Sequence, residues 1–223
     1  MRHDMSEPRI ITARAPSAIE INKVLRNTYA LLAMTLLWSA VTATVSVSIG
    51  VPNLGFFTLL IFFGLLFAVH KTANSTWGLF WVFALTGFLG FSLAPLLGAV
   101  LSLADGGAIV AQSLGITAVA FLGLSIYTVA TKRDFSFLWG FIVVGAIVIV
   151  ASWVVSIFYY STLFAQVMAG IAILFGAALI LWETSAVARG EQTNYILATV
   201  GIYVGLYNIF SSLLLLFGIG GDD

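Results

Sequence analysis

Apolar residues in this chain fall into seven long runs, at about 27–49, 54–69, 77–98, 108–130, 137–158, 163–182 and 196–218, separated by short polar breaks. Each run holds roughly 16 to 23 residues, the length a helix needs to cross a hydrocarbon core about 30 Å thick. They predict an all-α integral membrane protein of seven transmembrane helices, with the second run the least able to span. A polar stretch, 1–26, precedes them as a cytoplasmic tail and pre-helix, and 219–223 follow as a short C-terminal tail. Ser17 and Glu20 have the S-x-x-E spacing of a capping box, which predicts a helix starting there and running into the membrane. The breaks are too short for a separate extramembrane domain.

The last run differs from the others in its polar content. Gly201, Gly205, Asn208 and Ser212 recur at spacings of four, three and four, placing them on one helical face, and Thr199, Tyr203 and Tyr207 mark a second. In a bilayer small residues let backbones approach and polar side chains seek partners on neighbouring helices. A helix so equipped on two faces is expected at the centre of the bundle, with the first face serving to pack it. In the third run Gly87, Gly90, Ala94 and Gly98 form a similar small-residue seam, and Pro95 is expected to bend it.

Composition sharpens the class. Of 223 residues 61% are hydrophobic and 8% charged, well outside soluble globular usage. Net charge is zero, but its distribution is not even: placing the N-terminus in the cytoplasm puts Arg2, Arg9, Arg14, Lys23, Arg26, Lys71, Lys132, Arg133 and Arg189, all nine basic residues, on that side. The positive-inside rule then sets the N-terminus inside and, with seven spans, the C-terminus outside. With no cysteine and two distant histidines, neither thiol chemistry nor a His-based metal site is expected. Hydrolase, metalloprotease and P-loop motifs are missing from the sequence, so no catalytic residue, cofactor or nucleic-acid partner is expected, and no firm metal site.

Glu183 is the one acidic residue that abuts an apolar run with no turn residue between, at the end of the sixth span. Two readings stay open for it. It is a pH- or cation-sensitive gate if its carboxylate points between helices. Otherwise it is a solvated interfacial carboxylate or a partner for Arg189.

Several stretches carry a resemblance. TGFLG at Thr86 to Gly90, APLL at Ala94 to Leu97 and TAVAF at Thr117 to Phe121, with KVLRNTY from Lys23, HKTAN from His70, KRDFSFLWG from Lys132, and ETS, GEQTNYILATV and LYNIF between Glu183 and Phe210, run at matching spacing along nearly the whole chain. In these the chain resembles the Bax inhibitor-1 (transmembrane Bax inhibitor motif) family. The resemblance implies six helices surrounding a central seventh. For bacterial members it implies an inner-membrane protein that binds the membrane-anchored ATP-dependent protease FtsH, restrains its proteolysis of membrane proteins, and is engaged through the N-terminal tail. Other members are calcium leak channels gated by two acids, which makes calcium an alternative partner. The first acid position falls on Glu183 and the second on Gly205, which cannot titrate, so the dyad is incomplete here.

Overall fold

A computed structural model describes residues 17–159 and 161–219, and among these every regular element is a helix. They are α1 (Ala18–Ser48), α2 (Phe56–Thr72), α3 (Trp77–Ser92), α4 (Ala94–Leu101), α5 (Gly106–Thr131), α6 (Leu138–Phe158), α7 (Thr162–Ala188) and α8 (Tyr195–Ile219). Six membrane crossings are long and apolar enough to span outright, α3 and α4 together making one of them, and α2 is the short seventh apolar helix. At 1.5 Å per residue α2 is about 26 Å long, a little less than the hydrocarbon thickness. The tail segments 1–16 and 220–223 lie outside the described residues.

Local chemistry sets the helix ends. Ser17 and Glu20 form the expected capping box, with Ser17 N–H donating to the Glu20 carboxylate at 2.7 Å and Glu20 N–H donating back to Ser17 Oγ at 3.3 Å. The third run is two helices. Pro95 has no N–H to give to the carbonyl of Phe91, and the chain tightens just before it, where Leu93 N–H bonds to Gly90 O at 3.1 Å, three residues back. Consequently Gly98 falls on a separate helix, where an added Cβ would meet nothing within 4 Å, and the expected seam stops at Gly90.

At the far end of the chain, α7 runs past Trp182 to Ala188 and closes in a Schellman arrangement. Gly190, at φ 78°, turns the chain so that Glu191 N–H reaches Ala186 O at 2.8 Å and Gly190 N–H reaches Val187 O at 3.0 Å.

The last helix, α8, packs against α1, α3, α4, α5 and α7, while α2 leans on α3 and α6 on α7. Its Ile202, Tyr203, Leu206 and Ile209 join the main core with Leu31, Leu32, Val82, Leu85 and Ile180. The peripheral helices expose large apolar side chains outward, among them Phe57, Phe67, Val119, Leu122, Val144 and Phe158, as surfaces bathed in lipid must.

One end of the bundle gathers the described basic residues, since α1 begins there and α2, α5 and α7 end there. That end is also tied together. Asn194 Nδ2 donates to Ala73 O at 3.0 Å and Asn74 Oδ1 at 2.9 Å, Ser185 Oγ donates to Arg133 O at 2.7 Å, and Arg189 pairs with Asp134 at 2.7 Å.

Candidate functional site

Helices α7 and α8 approach each other backbone to backbone. A Cβ added at Gly205 would stand 2.7 Å from Gly176 O and 2.9 Å from Ile180 Cγ1, and one at Gly176 would run into Gly205 O. Backbone meets backbone here because both residues lack side chains. One helical turn toward the basic end, Gly201 lies flat against Glu183, whose Cγ stands 2.5 Å from where a Gly201 Cβ would be. Gly201 and Gly205 thus both lie in close contact with α7.

Glu183 is not the edge residue expected from the sequence. Because α7 continues to Ala188, it lies about a turn and a half inside the helix end and is only 7% exposed. One carboxylate oxygen, Oε2, has no hydrogen-bond partner, and buried hydroxyls on Thr28, Ser125 and Thr184 in the same half of the bundle also lack one. The alternative pairing with Arg189 does not form. Arg189 turns instead to Asp134 at 2.7 Å and Glu191 at 2.6 Å, and its hydrogen bond, with a second from Ser136 N–H, holds the Asp134 carboxyl down to about 2. The α8 residue facing Glu183 is Gly201, a turn away from Gly205, where the resemblance placed a second acid. Neither glycine can complete a dyad, and among the described residues no three His, Asp or Glu side chains converge to hold a metal ion.

The second predicted face of α8 meets α1 and α3. Thr199 Oγ1 donates to Thr28 O at 3.2 Å and to Tyr195 O at 2.7 Å. Tyr203 OH reaches Thr86 O at 3.2 Å and shares a 2.5 Å hydrogen bond with Ser39 Oγ, which itself donates to Thr86 O at 3.0 Å. Tyr207 OH lies 3.2 Å from Ser92 Oγ. Gly90 makes room for this junction, since a side chain there would overlap the Ser39 carbonyl. Ser39 and Ser92 carry no signal in the sequence that separates them from the many other span hydroxyls.

Asn208 and Ser212 lie further along α8, away from the basic end. They line a cavity of about 740 Å³ in the half of the bundle away from the basic end, bounded by α2, the α3–α4 break, α6, α7 and α8. Asn208 does not reach another helix: its Nδ2 donates to Val204 O of α8 at 2.8 Å.

A helix bundle with a central helix, a glycine seam and a buried acid at its end defines a polytopic membrane protein with no assembled catalytic constellation among the described residues. Sequence comparison places it further. Residues 21–222 match the family described as inhibitor of apoptosis-promoting Bax1, and the chain belongs to this Bax inhibitor-1 family. It is 47% identical to an uncharacterized protein of Pseudomonas aeruginosa over 92% of this chain and 93% of that one. It is 43% identical to the Escherichia coli protein named modulator of FtsH protease YccA, over 93% of this chain and 94% of the relative. An uncharacterized membrane protein of Vibrio cholerae is 40% identical over 95% of this chain and 96% of its own.

Proposed function

We propose that this chain is an inner-membrane modulator of the membrane-anchored ATP-dependent protease FtsH, which it binds and whose proteolysis of membrane proteins it restrains. The observation that carries this reading is the 43% identity, spread over 93% of the chain, to the relative named for that role. Clustering of basic residues at one end of the bundle favours a cytoplasmic location for that end by the positive-inside rule. Helix α1 begins at the same end, and we assign engagement by the protease to the tail that precedes it. A tag at the C-terminus should then be accessible only from the periplasmic or external side of the membrane, and labelling from the cytoplasm would reverse the topology.

The test uses full-length protein and FtsH reconstituted together. Expected outcomes are co-purification of the two and slower degradation of a membrane-protein client when this chain is present. Removal of residues 2–22 should leave membrane insertion intact and weaken both effects. Unchanged client turnover with and without the full chain would overturn the proposal, and unchanged co-purification after the deletion would overturn the tail as the contact.

A second reading, a calcium leak, draws on Glu183, buried with one oxygen unpartnered. It requires flux into indicator-loaded liposomes that Glu183→Gln abolishes, and flux no greater than that of empty vesicles would remove it.

A further inference from the structure

The 740 Å³ cavity has a wall chemistry unlike that of an ion path. Among the described residues no Asp, Glu, Lys, Arg or His lines it. Four of its serine hydroxyls are bonded within their own helices. Ser92 Oγ donates to Leu89 O at 2.8 Å, Ser152 to Ile149 O at 2.8 Å, Ser156 to Trp153 O at 2.7 Å and Ser211 to Tyr207 O at 2.7 Å. Each proton is thus given to a carbonyl of its own helix, and the Asn208 amide nitrogen is committed in the same way. A dehydrated divalent cation is usually held by carboxylates among its oxygen ligands, and no described carboxylate lines this cavity. What remains is a largely apolar wall whose polar groups, the Asn208 side chain among them, are all neutral.

Position and size narrow the occupant. The cavity is lined by both α2 and α6, which are not a packed pair, since α2 leans on α3 and α6 on α7. The gap between them faces the bilayer, because the outer surfaces of both helices expose large apolar side chains such as Leu60 and Val154. Its rim includes Asn53, Tyr159 and Ser161, all neutral, at the end of the bundle remote from the described lysines and arginines. A transmembrane helix, about 10 Å across with a 5.4 Å pitch, fills roughly 400 Å³ per turn, so the cavity would take fewer than two turns of one. Its volume instead suits one elongated small molecule.

We propose that this cavity is a lipid site, which takes an acyl chain of a bilayer phospholipid through the gap between α2 and α6 and leaves a headgroup of zero net charge at the neutral rim. The chain lies along the α8 floor formed by Val204, Asn208 and Ser211. An anionic headgroup finds no cation among the described residues there to neutralise it.

The experiment is photocrosslinking of the full-length protein in bilayers doped with phosphatidylethanolamine whose acyl chain carries a diazirine, followed by peptide mapping. Labelling of Val204, Asn208 or Ser211 is expected, in addition to bulk-lipid labelling of outward positions such as Val119 and Leu122, which are 72% and 54% exposed. Ala172→Phe, which fills the cavity from α7, should abolish floor labelling and leave that of Val119 and Leu122 unchanged. The same probe on phosphatidylglycerol, or on a free fatty acid, should label the floor less than the zwitterionic lipid does. Labelling confined to outward positions in the native protein would overturn the site, whatever the variant does. Equal or stronger floor labelling by either anionic probe would overturn the headgroup assignment.

Discussion

The two halves of α8 solve opposite problems. Toward the basic end the helix is closed in: Gly205 meets the backbone of Gly176, Gly201 meets the Glu183 side chain, and Thr199 and Tyr203 are held by α1 and α3. Toward the other end Asn208 and Ser211 border open volume, and their hydrogen bonds turn back on their own helix. Small residues create close contact only where the facing helix also lacks a side chain. Where the neighbours diverge, as α2 and α6 do, a similar polar pattern lines a cavity. The same face of one helix therefore locks the bundle at one end and leaves it able to receive a ligand at the other.

The sharpest way to break this contrast is to add bulk on each side. Gly205→Leu drives a side chain into Gly176 O and Ile180, where backbone cannot yield. Overpacking of this kind costs about 1 to 3 kcal/mol or more. Loss of the folded, detergent-soluble monomer or a fall in Tm of several degrees is expected by differential scanning fluorimetry. Ala172→Phe on the cavity side should change Tm little by comparison. Equal effects would mean that the cavity side is as tightly packed as the seam.

Glu183 offers a second cut. Glu183→Ala removes a buried side chain that Gly201 cannot replace, and truncations of buried groups leave voids that cost roughly 2 to 5 kcal/mol in tightly packed cores. Glu183→Gln keeps the volume and removes any charge whose burial is costly without a partner. Stability should therefore fall for alanine and hold or rise for glutamine, as read by Tm in the same detergent. A fall for glutamine as large as for alanine would show that the carboxylate, not the volume, is what the site uses.

A smaller effect is expected at Tyr203. Tyr203→Phe removes one hydroxyl from the Ser39–Thr86 junction while Ser39 keeps its own bond to Thr86 O. The expected loss is about 0.5 to 1.5 kcal/mol, the usual net value of one hydrogen bond. Comparison of Tyr203→Phe with the Ser39→Ala, Tyr203→Phe double variant would separate the tyrosine contact from the serine's own.

Much of this arrangement is legible in the sequence, for identifiable reasons. Apolar run length marks the spans, and the capping box at Ser17 and Glu20 marks where α1 begins, because both signals are local. The two faces of α8 follow from helical spacing alone. Glu183 is misplaced by the sequence because hydropathy falls at Trp182, although the helix continues through ETSAVA until Gly190 supplies the left-handed turn. Arg189 followed by a glycine is a helix-end signal that places the boundary correctly when it is weighed above hydropathy. The cavity is not legible, since it depends on how far α2 and α6 stand apart, and that is set by which neighbour each packs on. For the same reason periodicity alone does not show that Asn208 and Ser212 border it.

The smallest effect belongs to the basic end, where Arg189 and Asp134 tie α7 to the loop before α6 at 2.7 Å. Asp134 is largely exposed, with 58% of its side chain accessible, so solvent screens the pair and its contribution is slight. Its sign is nevertheless fixed. The carboxyl is held at about 2, below the ordinary aspartate value near 3.9, so whatever stability it contributes is fully present above about pH 4. That contribution is lost as pH falls through about 4 toward 2. A titration of Tm should show a small downward step in this window, and Asp134→Asn should remove the step while lowering Tm slightly at neutral pH. An unchanged step in the variant would assign it to other carboxylates. Loss of the tie should also leave the α7–α8 seam intact, since the glycine contacts that close it contain no titrating group at Gly176 or Gly205.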